Sequence, residues 1–200
     1  MANEELAGCH GLVLAAGAGT RFDGLKLLAD FRGEALVRHA VRAMLASRVE
    51  RVTVVLGARA DEVAERLDDM AGPRLGIVRC PDWQEGLSAS LRAGIVALPS
   101  DCRAVAIALG DMPLIDFALA DTALGYVLTG APAVLPDYRG RPAHPVALSP
   151  RMFERVKVLS GDRGARAALR RVPGIVRLET DDPGSIRDID DCAEGFQLLA

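Results

Sequence analysis

Four groups of residues carry types and spacings that could do chemistry. The first is Leu14-Ala15-Ala16-Gly17-Ala18-Gly19-Thr20-Arg21, followed by Gly24 and Lys26. Glycines let backbone N–H groups turn toward a ligand with no Cβ in the way, and two nearby cations suit a triphosphate. A dinucleotide fingerprint would want a third glycine where Phe22 stands, and a Walker loop would want Gly-Lys-Ser/Thr together, so the stretch matches neither. On spacing alone, a phosphate loop and an ordinary tight strand-to-helix turn both stay open.

The second is Leu109-Gly110-Asp111-Met112-Pro113, at the end of an apolar run. A carboxylate at the carboxyl end of a strand can hold Mg²⁺ against phosphate oxygens, because this ion prefers one or two protein carboxylates plus phosphates and water. A routine turn is the competing reading. The third, Trp83-Gln84-Glu85-Gly86-Leu87-Ser88-Ala89-Ser90-Leu91-Arg92-Ala93-Gly94, opens a helix whose first N–H groups could meet a phosphate. Ser88 reads equally as an N-cap.

The fourth group comprises Arg139-Gly140-Arg141-Pro142-Ala143-His144-Pro145-Val146, Gly161-Asp162-Arg163-Gly164-Ala165-Arg166 and Arg187-Asp188-Ile189-Asp190. A lone histidine such as His144 is more often a hydrogen-bonded structural residue than a catalyst. Of the last two acids, Asp190 is preferred for a metal, because Asp188 could equally cap or pair with Arg187.

These residues need a scaffold. His10 to Ala15 is a short apolar run ending in the glycine turn, and Glu34 to Ser47 has Val37, Val41 and Met44 at helical spacing. Val52 to Leu56, closed by Gly57, is a second strand, and Asp61 to Met70 a second helix. Leu75 to Cys80, Leu87 to Leu98 and Val105 to Leu109 continue the alternation. Near-continuous apolar strands separated by amphipathic helices predict an α/β fold with a parallel sheet covered on both faces. Ligands then sit at the carboxyl ends of the strands, where the two most unusual loops fall. The second half predicts short strands at Ala133 to Leu135, Val146 to Leu148 and near Val176. Helices are expected near Arg151, near Ala165 and after Asp190, with an irregular loop over Pro136 to Pro145. No boundary is drawn, and residues 1–200 are read as one domain.

Composition excludes several classes. A formal charge of −3 argues against general nucleic-acid binding, so any anionic ligand must be met by local positive charge. Cys9, Cys80, Cys102 and Cys192 lie far apart without a Cys-x-x-Cys pair, which suggests neither a disulfide framework nor a zinc site. With no run of about 18 apolar residues and an acidic start, the expectation is a soluble, cytoplasmic protein without a membrane span.

The motifs, in this order, resemble the molybdopterin nucleotidyltransferases of the MobA-like NTP transferase type, especially the cytidylyltransferases that mature molybdenum cofactor. The first loop resembles the Leu-Ala-Ala-Gly-x-x-x-Arg-x-Gly-x-x-Lys signature, with its second glycine displaced to Gly24, and Leu109 to Pro113 resembles the Gly-Asp-Met-Pro metal motif. The likeness runs from about Gly11 to Phe196. It implies a three-layer, mostly parallel Rossmann-type sheet like that of the nucleotide-diphospho-sugar transferases. It also implies Arg21, Lys26 and Asp111 as catalytic residues, and Mg²⁺ held by Asp111 and Asp190. The nucleotide would meet Leu14, Ala15, Ala16, Gly17, Gly19, Arg21, Lys26 and Gly57, and the acceptor Ser88, His144 and Arg166. The implied substrates are CTP and a molybdopterin-type cofactor, with transient contact to a molybdoenzyme or its chaperone. CTP is preferred over GTP because the guanylyltransferase branch reads Leu-Ala-Gly-Gly where this chain has Leu14-Ala15-Ala16-Gly17. The alternatives are a transferase for another phosphorylated acceptor, a cofactor-binding and delivery protein, and a small dinucleotide-dependent reductase. The missing third glycine argues against the last.

Overall fold

The computed structural model describes residues 6–19 and 26–189. Its strands and helices are β1 (Cys9–Ala15), β2 (Asp30–Phe31), β3 (Glu34–Ala35), α1 (Leu36–Ala46), β4 (Arg51–Leu56), α2 (Ala60–Glu65), β5 (Leu75–Arg79) and α3 (Leu87–Val96). They continue with β6 (Ala104–Leu109), α4 (Phe117–Leu128), β7 (Ala133–Tyr138), β8 (Arg141–Pro142), β9 (Val146–Leu148), α5 (Phe153–Lys157), α6 (Ala165–Ala168) and β10 (Val176–Glu179).

The main sheet has the order β10-β7-β9-β6-β1-β4-β5, with β8 paired to β7. Strands β5, β4, β1 and β6 run parallel, β9 is inserted antiparallel between β6 and β7, and β8 is antiparallel to β7. Every residue of β1 is buried. Its alternation shows in which layer each side chain joins: Val13, Val54 and Ala106 pack on the side of α1 and α4, whereas Leu12, Leu14, Val55 and Ile107 pack on the side of α3, α5 and α6. A continuous apolar strand thus feeds two cores because successive side chains point to opposite faces. The result is a three-layer α/β fold. No helix among the described residues is long and apolar enough to cross a membrane.

The helix predicted from Glu34 begins at Leu36, because Glu34 and Ala35 pair with Asp30 and Phe31 in a small hairpin. The helix predicted to Met70 ends at Glu65 and resumes as a 3-10 turn over Asp68–Met70. The loop expected over Pro136 to Pro145 is largely a hairpin, in which β7 turns through Arg139 and Gly140, both at positive φ, into β8. Helix α4 has no counterpart in the sequence reading. Asp116 caps it by accepting from the Ala118 amide at 2.9 Å, and its Leu119, Ala120, Ala123, Leu124 and Val127 are buried. The helix expected after Asp190 lies outside the described residues.

Candidate active site

The chain leaves β1 toward β4 and β5 on one side and returns to β6 on the other, so the carboxyl ends of β1 and β6 flank a crevice. Two backbone bonds fix its floor: the Gly110 amide donates to Leu14 O at 2.8 Å, and the Ala58 amide to Ala16 O at 3.0 Å. A Cβ on Gly57 would lie 2.6 Å from both Ala16 O and the Trp83 Cβ, so only glycine lets the end of β4 pack this closely under the first loop.

Lys26 opens a 3-10 turn whose Leu27 is buried in the core. That anchor carries Lys26 Nζ to 2.9 Å from Asp111 Oδ2. Lys26 is only 7% exposed, so its ammonium is held rather than waving in solvent, whereas the Asp111 side chain is 26% exposed and open on one side. The Asp111 carbonyl accepts from the Ile189 amide at 3.1 Å. Ile189 is buried against Phe31, Leu36 and Leu114, which brings the backbone at 189 alongside the Asp111 turn. Asp188 is exposed there. Asp190 and Arg21, expected at the metal and the phosphates, lie outside the described residues.

His144 lies within electrostatic reach of both Asp111 and Arg166. The His144 amide donates to Ser185 O at 2.8 Å, and its Nδ1 lies 3.4 Å from Ile107 O. A carbonyl only accepts, so the neutral ring carries its proton on Nδ1 and a lone pair on Nε2. Burial, and then the neighbouring Arg166 guanidinium, push the His144 pKa down to about 4. Asp111 acts in the opposite direction on the same ring. Arg166 Nη2 donates to Ala143 O at 3.2 Å, its Nε is buried without a partner, and no carboxylate among the described residues pairs with it. Burial lowers its pKa also.

Ser88, expected at the acceptor, is fully buried, and its Oγ faces Arg92 Nη1 at 3.2 Å. The N-cap of α3 is Gly86, so Ser88 sits two residues too far in and is rotated into the core. The first amides of α3 are also occupied, Leu87 N by Asp162 Oδ1 at 3.4 Å and Ser88 N by Gly161 O at 3.1 Å. The side chains that do reach the crevice here are Trp83, Gln84, Ser90 and Asp162, which with Gly17 to Gly19 line a cavity of about 340 Å³. Ser90 follows Ser88 by two residues, enough on a helix to turn from core to cavity. Burial raises the thiols of Cys9 to about 11 and Cys102 to about 12, and raises that of Cys80, as fits unreactive core cysteines.

As for a metal, no group of three or more His, Cys, Asp or Glu gathers among the described residues. Asp111 nevertheless offers a hard, partly exposed oxygen beside an anion-compatible lysine. That donor set suits Mg²⁺, which takes few protein ligands and fills its shell with phosphate and water.

Residues 11–177 match the MobA-like NTP transferase domain, and the chain belongs to that family. It is 32% identical over 208 residues to the nicotine blue oxidoreductase of Paenarthrobacter nicotinovorans, covering 100% of both chains. It is also 32% identical over 115 residues to the bifunctional protein GlmU of Corynebacterium aurimucosum, covering 56% of this chain but only 24% of that relative. Its fold superposes on Rv0371c from Mycobacterium tuberculosis H37Rv with a TM-score of 0.82 at 23% identity, covering 96% of each chain. A complex of Rv0371c with manganese superposes with a TM-score of 0.77, at 22% identity and covering 96% of this chain and 97% of that one.

Proposed function

We propose that this chain is a Mg²⁺-dependent nucleotidyltransferase that moves CMP from CTP onto the terminal phosphate of molybdenum-bound molybdopterin and releases pyrophosphate. The observation that carries this reading is the meeting of Lys26 with Asp111 across the carboxyl ends of β1 and β6, in a chain of the MobA-like NTP transferase family. A phosphate monoester has a second pKa near 6 and is largely dianionic at neutral pH, so the acceptor oxygen needs no general base. The protein must bring two anions together and stabilise charge spreading over the α-phosphoryl oxygens. Lys26 supplies a fixed positive charge, and Gly17 and Gly19 leave loop amides open to phosphate oxygens. Asp111 would hold Mg²⁺, which supplies charge neutralisation and orientation at the triphosphate when bound. Arg166, which pairs with no carboxylate among the described residues, and the lone pair of His144 Nε2 form the polar wall on the acceptor's side. The test offers the protein CTP, GTP and ATP with Mg²⁺, with and without molybdenum-bound pterin. Pyrophosphate released only when CTP and pterin are both present is the expected result, and none with any nucleotide sinks the reading.

A second reading rests on one observation, the end-to-end 32% identity to an enzyme named for oxidising or reducing nicotine blue. On it, the same crevice holds a reduced nicotinamide dinucleotide. Oxidation of NADH or NADPH that depends on nicotine blue, with no pyrophosphate from any nucleotide, would favour this reading over the first.

A further inference from the structure

We infer that Asp162 reads the nucleobase, accepting a hydrogen bond from an exocyclic amine so that the crevice prefers cytosine to uracil. The inference rests on the nucleotide reading given above and adds a residue that the sequence motifs had not assigned.

Charge is distributed unevenly along the crevice. Lys26 stands beside Asp111, and Arg166 beside His144. The described residues that line the cavity beyond the first loop include no lysine or arginine and one carboxylate, Asp162. A nucleoside triphosphate therefore lies with its phosphates toward Lys26 and its neutral end in the cavity, because the reverse pose would set phosphates against Asp162. At about 340 Å³ the cavity suits a nucleoside end.

Trp83 and Asp162 meet there at a single turn. Trp83 belongs to the 3-10 turn Trp83–Glu85, and Gly86 follows it with φ +103°. Asp162 Oδ1 lies 2.5 Å from where a Gly86 Cβ would stand, so the missing side chain admits the carboxylate. A half-buried indole beside the cavity offers a flat apolar surface on which any base can stack. A base stacked there presents its edge to Asp162. That carboxylate forms no ion pair among the described residues, and its one hydrogen bond there is the long 3.4 Å contact from the Leu87 amide. A carboxylate only accepts, so it favours an edge that donates. Cytosine places an amine at position 4, as when Asp or Glu reads this base in nucleic acids, whereas uracil places an oxygen there and sets two acceptors face to face. Ribose hydroxyls are donors too, and the experiment separates the two sources.

Isothermal titration with Mg²⁺ of the full chain and its Asp162→Asn variant, using CTP, UTP and 2′-deoxyCTP, tests the inference. Asparagine keeps an oxygen for the Leu87 amide, and an unchanged melting temperature checks the fold. The wild type is expected to bind CTP about 10-fold more tightly than UTP, and the variant to bind the two within about 2-fold. CTP and 2′-deoxyCTP should bind alike in both proteins. Equal wild-type binding of CTP and UTP, or a variant that keeps the full preference, overturns the inference while leaving the nucleotide reading intact. A penalty for 2′-deoxyCTP that vanishes in the variant moves Asp162 to the ribose and also overturns it. No binding of any nucleotide by the wild type overturns the nucleotide reading itself, and this inference with it.

Discussion

Lys26 Nζ lies 2.9 Å from Asp111 Oδ2, joining residues 85 positions apart. The pair closes the gap between the loop after β1 and the turn after β6, so the cation of one motif is positioned by the acid of the other. Substituting Lys26→Met keeps most of the buried aliphatic stem and removes only the charge. If that charge stabilises developing phosphoryl negativity, pyrophosphate release should fall by about 100-fold in kcat, with a much smaller change in KM for the nucleotide. Steady-state kinetics check this, and a variant with wild-type kcat would remove Lys26 from the chemistry.

Asp111→Ala is a distinct test, because it removes the one described carboxylate suited to Mg²⁺. Metal-stimulated turnover should disappear while circular dichroism stays native, since the Asp111 contact that secures the backbone at Ile189 uses its backbone carbonyl and survives the change. Undiminished Mg²⁺ stimulation in a folded variant would exclude Asp111 as the metal ligand.

Gly57→Ala tests packing under the first loop. The added methyl would meet Ala16 O and the Trp83 Cβ at 2.6 Å. Neither is a flexible side-chain end, so the backbone must shift. Overpacking of this kind costs about 1–3 kcal/mol, and the displaced elements are those that line the cavity. Chemical denaturation should show that loss together with weakened CTP binding. Wild-type values for both would mean that the crevice tolerates the shift.

The parallel half of the fold was legible because β1, β4 and β6 are apolar on both faces and are separated by turns that glycine or proline marks. The place of Asp111, in the turn just past β6, was legible for the same reason. Helix α4 was missed because Phe117-Ala118-Leu119-Ala120 and Ala123-Leu124-Gly125-Tyr126 are apolar almost all round, leaving little 3.6-residue contrast to read. The cavity residues beyond the first loop, Trp83, Ser90 and Asp162 among them, went unassigned for another reason. Which of Ser88 and Ser90 turns inward depends on where α3 starts, and Asp162 reaches the crevice from a loop 75 residues beyond the Leu87 amide it faces. Neither spacing nor residue type encodes that contact.

His144 gives the fold a pH dependence of definite sign. Its pKa is about 4 in the folded chain against an ordinary 6.5, so between these values the unfolded chain takes up a proton that the folded chain refuses. Stability is therefore fully retained above pH 6.5 and declines as pH falls toward 4, by on the order of 2 kcal/mol from this residue. His144→Gln should flatten that part of the curve. Urea titrations from pH 7 to pH 4 check it, and parallel curves for the two proteins would contradict the half-buried, neutral imidazole.

Arg166 connects that titration to the acceptor side of the crevice. Its guanidinium is the second cause of the depressed His144 pKa, after burial, and its Nε has no partner among the described residues. Arg166→Met should therefore raise the His144 pKa, though not to 6.5, because the burial remains. The His144 ring resonance followed by NMR across pH measures this without any substrate. The same variant should raise KM for the phosphorylated acceptor by about 10-fold or more, the cost of losing a charged partner, with KM for CTP little changed. A purely structural arginine would move the resonance and leave both KM values alone. An acceptor-binding one moves the resonance and the acceptor KM together, so the pair of readouts decides between the roles.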